Sequence, residues 1–334
     1  MVRRARRPPP PSLAAARLFF AAGLSLAAAA RAEAVVVSPT PGALQAAIDA
    51  LPASGGVIAL RPGVYREKLT IAKPHVRLLG LGASPAAVTI VWGDAARTAG
   101  GTGKSASVTI TGDDVRLRNL TIQNDYWLQA PDQPSQAVAL AVTGDREVFD
   151  RVRLLGHQDT LYAASRVKCD GRGCGTSRQL FRDCYVEGHV DFIFGDAKAL
   201  FQRCEIHALS HGEVMLTAQS KATPGQDSGY VFDHCRVTAE PGAAHIWLGR
   251  PWRPYASVVV LETRLDAPVE PAGWREWHAG ETHSLETAFY AERGSSGPGA
   301  DPAHRDPHSH QLSAAEAKAW SFHAFLSGPD HWRP

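Results

Sequence analysis

The feature that most constrains the fold is a six-residue phrase, Phe-x-x-Cys-x-(Val/Ile), that recurs along the chain. Full copies begin at Phe181, Phe201 and Phe232, and looser copies begin at Leu117, Phe149 and Leu261. Successive copies are separated by 32, 32, 20, 31 and 29 residues. Self-similarity at intervals of this size indicates stacked structural units.

The segments between the copies have the composition of short strands. Stretches such as VTIVWG, AVALAVTG and YVFDHCRV are rich in β-branched and aromatic residues and show no helical periodicity. Units that return the chain in the same direction without a crossover helix predict an all-β parallel β-helix, which is a solenoid. A β-sandwich also supplies many short strands, but its strands do not repeat a phrase with Phe and Cys in fixed places.

Both ends of such a solenoid need a cover, because exposed sheet edges pair with other chains. Residues 42–51 (GALQAAIDAL) have apolar positions at helical spacing and are predicted to cover the N-terminal end. Residues 313–320 (SAAEAKAW) begin with a Ser-x-x-Glu capping box and are predicted to form a short helix against the last coils.

Residues 1–32 have the pattern of a secretory signal peptide. Four Arg within the first seven residues precede an apolar run at 13–30 and a small-x-small cleavage site at 30–32. A retained membrane helix is the alternative, and Arg17 and the many Ala residues argue against it. We therefore expect a secreted or periplasmic protein in which residues 33–334 form a single domain.

The basic character of the chain belongs to this first segment. Subtracting its six Arg from the 35 basic residues leaves 29 against 33 acidic residues, a net charge of −4. This balance argues against general attraction to nucleic acid or to an acidic membrane surface. An anionic substrate would have to be held by local groups, and we expect the mature chain to be a monomer.

Five Cys in an exported chain permit disulfides. The stacking places Cys184 and Cys204 about 4.8 Å apart, so they are predicted to pair, with Cys235 competing for Cys204. Cys169 and Cys174 are predicted to pair locally. Their spacing could also be half of a metal site, but no matching His/Cys pair follows, and we expect neither a metal nor another cofactor.

Two acidic residues occupy equivalent places in the repeat. Asp159 follows Phe149 by ten residues, and Asp191 follows Phe181 by ten. If the coils are in register, the two carboxyl groups lie about 5 Å apart on neighbouring coils. Two negative charges at this distance repel each other, so the pKa of one carboxyl group must rise. Such a pair supplies an acid and a nucleophile, and Arg250 could keep one of them ionised by a bidentate contact.

Two amides could hydrogen bond to the oxyanion of an ester reaction. Gln158 adjoins Asp159, and Gln136 precedes it by about one coil. Strict strand alternation would point Gln158 and Asp159 to opposite faces, so both can serve one site only if the backbone bends there.

Each of these residues also has a purely structural interpretation. The Asp residues could form a ladder or satisfy turns, the Gln residues could be surface groups, and Arg250 could make a surface ion pair. Trp252, Trp274 and Trp277 could be packing residues instead of sugar platforms. A serine hydrolase is not favoured, because no Ser sits in a Gly-x-Ser-x-Gly elbow. The joint presence of these residues in successive coils favours a site.

Five ordered segments of the chain resemble the signature segments of the pectin methylesterases (pectinesterases). They are GVYREKL (63–69), QAVAL (136–140), GHQDTLY (156–162), VDFIFG (190–195) and LGRPW (248–252). The likeness continues through TAFYAERGSSGPGA (287–300) and so covers nearly all of residues 33–334. It implies a right-handed parallel β-helix that removes methyl esters from the galacturonate units of pectin without a metal.

The resemblance also implies roles for the acidic pair. Asp191 would be the nucleophile that attacks the methyl ester, and Asp159 would be the general acid that protonates methanol and then the base that activates water. Arg250 would orient Asp191. These roles agree with the acid and nucleophile expected from the repeat.

The remaining site residues are assigned by the same resemblance. Gln136 and Gln158 would form the oxyanion hole, Trp252 would line the sugar groove, and Trp274 would be a second platform in preference to Trp277. Two rival functions remain open at this stage: an esterase acting on a different envelope or carbohydrate ester, and a non-catalytic β-helix that binds polysaccharide.

Overall fold

The structure is a computed structural model that describes residues 34–166, 175–278, 280–281 and 283–334. The predicted signal peptide and the predicted Cys169–Cys174 disulfide lie outside these residues. The strands are β1 Val35–Val37, β2 Gly56–Leu60, β3 Gly63–Tyr65, β4 Leu69–Ile71, β5 Val76–Gly80, β6 Val88–Trp92, β7 Val108–Ile110, β8 Arg116–Asn124, β9 Leu140–Val142, β10 Glu147–Leu155, β11 Leu161–Ala163, β12 Arg178–Arg182, β13 Tyr185–Gly188, β14 Ile193–Gly195, β15 Lys198–Gln202, β16 Glu205–Ala208, β17 Val214–Met215, β18 Thr217–Gln219, β19 Gly229–Asp233, β20 Arg236–Ala239, β21 Ile246–Trp247, β22 Ser257–Leu261, β23 Arg264–Leu265, β24 Phe289–Arg293 and β25 His310–Gln311.

The helices of the described residues are short and lie between coils or at the ends of the fold. The α-helices are α1 Ala43–Ala50, α2 Ala96–Ala99, α3 Tyr126–Gln129, α4 Ser284–Thr287 and α5 Phe322–Leu326, and the 3₁₀ helices are Pro85–Ala87, Thr102–Lys104 and Glu316–Trp320. None of the helices in the described part of the chain combines the length and the apolar character needed to span a bilayer.

The strands stack as a parallel β-helix. A large sheet of 17 strands runs along the molecule, and a second sheet joins β4, β7, β9, β11, β14 and β18. Neighbouring coils pair in parallel, as β8 does with β10 and β11 with β14. The parallel β-helix expected from the repeat is therefore confirmed.

The repeated phrase marks a corner in each coil. In the copy that begins at Phe181, the side chains of Phe181, Cys184 and Val186 are buried. The third residue, Asp183, has φ 53° and makes the left-handed bend between β12 and β13. The last copy begins at Val260 and not at Leu261, because Val260 pairs with Phe232 in the register.

Inward-facing aromatic rings form the centre of the core. The rings of Phe149, Phe181, Phe201 and Phe232 stack in sequence with centroid separations of 4.5, 4.7 and 4.6 Å. All four are buried, because each occupies the inward position at the same point of successive strands. This column fixes the vertical register of the coils that carry the acidic pair.

The predicted Cys184–Cys204 disulfide is wrong. Cys184, Cys204 and Cys235 are buried free thiols in one column. Each thiol donates to a carbonyl of the preceding coil, as Cys204 Sγ does to Phe181 O at 3.3 Å. Because equivalent side chains stack with the same orientation, the sulfur atoms lie side by side and point at the backbone.

Helix α1 covers the N-terminal coils, as predicted. Leu44 and Ile48 on its inner face are buried in the main core. The carboxylate of Glu67 accepts hydrogen bonds from the backbone N–H groups of Leu44 and Gln45 at 3.2 and 3.0 Å. These bonds satisfy two donors that the first turn of a helix leaves free.

The C-terminal segment lies along the outer face of the large sheet. Ser313 and Glu316 form the expected capping box, with reciprocal bonds of 2.8 and 3.3 Å. Beyond it, Phe325 and Leu326 are buried in an outer apolar cluster. Asp330 then accepts two bonds from Arg178, each of 2.7 Å. We call residues 312–332 the C-terminal tail.

Candidate active site

The acidic pair lies at the start of two neighbouring strands in the six-strand sheet. Asp159 and Asp191 each come two residues before a paired position, because Leu161 in β11 is opposite Ile193 in β14. The peptide N–H of Asp159 donates to Val190 O at 3.0 Å, which ties the two segments together. The equivalence that the repeat predicts is present in the structure.

Left-handed backbone at both residues aims the carboxyl groups into one pocket. Asp159 has φ 64° and Asp191 has φ 51°. This bend interrupts strand alternation, so Gln158 and Asp159 both line the pocket in place of facing opposite sides. Gln136 reaches the same pocket from the preceding coil, where Ala137 N donates to Gln158 O at 3.1 Å.

The pocket has a volume of about 180 Å³ and brings together most of the residues predicted from the sequence. It is lined by Thr102, Gln136, Gln158, Asp159, Asp191, Phe194, Ala218, Trp252 and Trp277. Polar groups that could bind a carbonyl oxygen and a leaving group therefore face aromatic rings across a single opening.

Arg250 contacts Asp191 through a bidentate ion pair. Its Nε donates to Oδ1 at 2.9 Å and its Nη2 donates to Oδ2 at 2.7 Å. Gly249 allows this geometry, because a Cβ there would lie 2.0 Å from Thr217 Oγ1. Only glycine lets the backbone approach β18 so closely that Arg250 N can donate to Thr217 O at 3.0 Å.

Trp277 contacts the guanidinium of Arg250 through both its ring and its backbone carbonyl. The guanidinium carbon lies 4.3 Å from the centroid of the Trp277 ring, and Nη1 donates to Trp277 O at 3.2 Å. The same ring lies 6.5 Å from that of Trp252 across the pocket wall. Trp277 therefore positions the arginine and lines the opening, a combination that the sequence did not indicate.

The prediction that Trp274 is a sugar platform is wrong. Its side chain is 1% exposed and its ring stacks on Tyr290 at 4.2 Å inside the core. A parallel bridge between Gly249 and Trp274 continues the ladder, and the Trp274 side chain faces inward from it. Trp277, three residues later, is the ring that reaches the surface of the pocket.

The two carboxyl groups differ in electrostatic environment. Burial and the neighbouring Asp191 carboxylate raise the pKa of Asp159 well above its usual range. Burial also raises the pKa of Asp191, but the hydrogen bonds and the charge of Arg250 oppose that effect. Asp159 consequently keeps its proton to higher pH than Asp191 does.

Three pocket residues were not foreseen from the sequence. Thr102 begins a short 3₁₀ helix in a Gly-rich segment with no distinguishing pattern. Phe194 could have been found from strand alternation, because it follows the core residue Ile193 and so points to the opposite face of β14. Ala218 is opposite Phe194 in the register and leaves room beside that ring.

Across the described residues, no three His, Cys, Asp or Glu side chains are grouped as metal ligands.

Comparisons with known proteins agree with this geometry. A family model described as Pectinesterase matches residues 36–329. Pectinesterase 31 of Arabidopsis thaliana is 36% identical over 304 residues, which cover 87% of this chain and 90% of that protein.

Solved structures show the same fold. A pectin methylesterase from carrot superposes with a TM-score of 0.77 at 30% identity, covering 87% of this chain and 92% of that one. A pectin methylesterase in complex with a hexasaccharide superposes with a TM-score of 0.72 at 29% identity, covering 91% and 99%. With the family model matched over nearly all of residues 33–334, the chain belongs to the pectinesterase family.

Proposed function

We propose that this chain hydrolyses the methyl esters of galacturonate units in pectin, with Asp191 as the nucleophile and Asp159 as the general acid and base. Membership of the pectinesterase family supports the reaction class. The observation that supports the roles is the asymmetry of the acidic pair: Arg250 binds both oxygens of Asp191. The Asp159 carboxyl makes no such contact with any described residue.

The first half of the reaction forms an acyl-enzyme. An Asp191 oxygen attacks the C6 carbonyl carbon, and the carbonyl electron pair moves onto oxygen to give a tetrahedral oxyanion. The side-chain amides of Gln136 and Gln158 line the pocket and would donate hydrogen bonds to that oxygen. As the C–O bond to the methoxy group breaks, Asp159 transfers its proton to the leaving oxygen and methanol departs.

The second half restores the enzyme. Asp159, now ionised, takes a proton from a water molecule, whose oxygen attacks the acyl carbon of the mixed anhydride. The bond to Asp191 breaks, the galacturonic acid unit is released and loses its proton to solvent, and Asp191 returns to its ion pair with Arg250. Each proton that Asp159 donates in the first half is thus recovered in the second.

The aromatic wall gives the pocket its selectivity for a sugar chain. The rings of Phe194, Trp252 and Trp277 lie beside the acidic pair, and Phe194 and Trp252 have centroids 6.0 Å apart. Flat apolar rings pack against the C–H faces of pyranose units and exclude water from the ester. A methylated galacturonan offers such faces next to each ester.

Methanol release by the purified protein from highly methylated pectin tests this proposal. We expect release with this polymer and little turnover of a simple aryl ester, which lacks the sugar faces. Rapid hydrolysis of the aryl ester without methanol release from pectin would assign a different substrate, and the absence of both activities would refute the esterase.

We further propose that the protein acts after export, as a monomer on pectin. The signal-like residues 1–32 support export, because the polymer is a cell-wall component. Amino-terminal sequencing of the secreted protein tests the cleavage after residue 32, and light scattering tests the monomer. Retention of the first residues in a membrane fraction would contradict this proposal.

A further inference from the structure

The outer face of the large sheet is covered in one part and open in another. Under the C-terminal tail, one outward row is apolar: Val148, Leu180, Leu200, Val231, Val259 and Ala291. In the other direction the same row continues through Arg116 to Arg77. The row therefore changes from apolar to basic beyond Val148.

An open groove of about 410 Å³ lies over this second part of the face. We call it the arginine groove, and its outward-facing lining is Val57, Arg77, Leu79, Arg116, Arg118, Val148, Asp150 and Arg182. Four guanidinium groups thus surround one carboxylate and three apolar side chains. The groove crosses β2, β5, β8, β10 and β12, a distance of about 19 Å at the usual strand spacing.

The positive charge of the groove is not neutralised within the fold. Asp150 lies 3.4 Å from Arg118 and 3.7 Å from Arg182. Arg77 and Arg116 face each other directly on neighbouring strands, and neither forms an ion pair with any described residue. Like charges placed opposite each other on a sheet are destabilising, so the fold itself gives no reason for this pair.

We propose that the arginine groove binds de-esterified stretches of galacturonan, a polyuronate, at a site separate from the catalytic pocket. This inference rests on the proposed function, because each turnover converts a neutral ester into a carboxylate on the same polymer. Guanidinium groups bind carboxylates in a bidentate manner, and the exposed Leu79 and half-buried Val57 offer apolar surface to the sugar rings between them.

Charge complementarity favours this occupant. Residues 33–334 carry a net charge of −4, so attraction of a polyanion depends on local clusters such as this one. Fully methylated pectin has no carboxylates and would not be held there. The groove would therefore retain the enzyme on polymer that it has already begun to process, while the pocket acts on remaining esters.

Binding of fully de-esterified polygalacturonate, measured by calorimetry, tests the groove. In Arg77→Glu/Arg116→Glu, we expect affinity to fall roughly tenfold or more, and the remaining binding to weaken further with salt. The matched control is Arg61→Glu/Lys318→Glu, which makes the same charge change at two exposed residues that lie outside the groove and form no ion pair with described residues. Trp252→Ala alters the catalytic pocket alone and should retain binding.

Three results would overturn the inference. One is unchanged affinity in the groove variant, and the second is loss of binding in Trp252→Ala, which would place the polymer in the catalytic pocket. The third is equal affinity for double-stranded DNA, which would indicate attraction to any polyanion.

Methanol release is measured separately, and the groove variant should keep the unaltered rate on a short methylated oligosaccharide. Failure of methanol release in the unaltered protein would refute the esterase, while the binding data would still decide the groove.

Discussion

Asp159 and Asp191 occupy the same position on neighbouring coils, with the same left-handed backbone and the same 8% exposure. Their surroundings differ in one respect above all, because Arg250 donates hydrogen bonds to the carboxylate of Asp191 and none to that of Asp159. Burial raises the pKa of both groups and the charge of Arg250 lowers both, but at Asp191 the guanidinium also donates hydrogen bonds and so opposes burial more strongly. A repeat can thus supply two equivalent carboxyl groups, and a side chain from elsewhere in the chain gives them different affinities for a proton.

The largest effect is expected on removing the proposed nucleophile. Asp191→Ala should lower methanol release by roughly four orders of magnitude or more, because the other described pocket carboxyl group, Asp159, has no bidentate contact with an arginine to favour its ionised form. Binding of pectin and the melting temperature should change little by comparison. Substantial activity in this variant would exclude the mechanism.

Asp159→Asn should lower methanol release by roughly 10²- to 10⁴-fold, because the amide keeps the shape of the acid and cannot donate its proton to the methoxy group. The comparison sharpens with a substrate whose leaving group needs no protonation. An activated aryl ester of the same sugar should lose much less of its acylation rate in this variant. An equal loss with both esters would argue against an acid role for Asp159.

Arg250→Ala removes the difference between the two carboxyl groups and should lower turnover by roughly 100-fold. Asp191 must be ionised to attack, and its pKa would rise further without the guanidinium. The acid limb of the pH–rate profile should therefore move to higher pH, whereas the alkaline limb, set by proton loss from Asp159, should move less. Arg250→Lys should keep the position of the acid limb better than Ala does, and identical profiles for the two variants would contradict this account.

Trp277→Ala tests how firmly the arginine is held. Loss of the ring face should lower turnover by about tenfold and move the acid limb in the same direction as Arg250→Ala, by a smaller amount. Trp277→Phe provides the control, because it retains an aromatic face. A change in the Michaelis constant alone would assign Trp277 to sugar binding and not to positioning.

The smallest effect is on stability. Because the folded pKa of Asp159 lies above its unfolded value, this group favours the folded state most at low pH and loses that contribution as pH rises through the raised pKa. Asn cannot ionise, so Asp159→Asn should raise the melting temperature at neutral pH by roughly a few degrees. The gain should disappear near pH 4, and a lower melting temperature at neutral pH would contradict it.

Features that depend on which residues occupy equivalent positions in neighbouring coils were predictable from the sequence. The Phe column and the pairing of the Asp positions depend only on equivalent places in neighbouring copies of the repeat, whatever the number of residues between the copies, and both are present. The bend that brings Gln158 beside Asp159 was recognised as a requirement, but left-handed φ at an Asp has no reliable sequence signal.

Features that depend on side-chain direction were predicted less well. The distance between Cys184 and Cys204 follows from strand spacing, yet their sulfur atoms point at backbone carbonyls. Trp274 and Trp277 are three residues apart in a segment without a clear period, and only the structure shows that the first faces the core. Spacing along a chain determines which residues are neighbours, and local backbone angles determine what they contact.

The C-terminal tail has a consequence for the order in which the molecule is assembled. Its Asp330 forms an ion pair with Arg178, which lies 152 positions earlier in the sequence. The ribosome therefore produces every coil that the tail covers before it produces the tail. The apolar row under the tail must stay open to solvent, or to a chaperone, throughout that interval. Export of the chain before folding is finished, as we propose, would be compatible with a tail that covers the apolar row last.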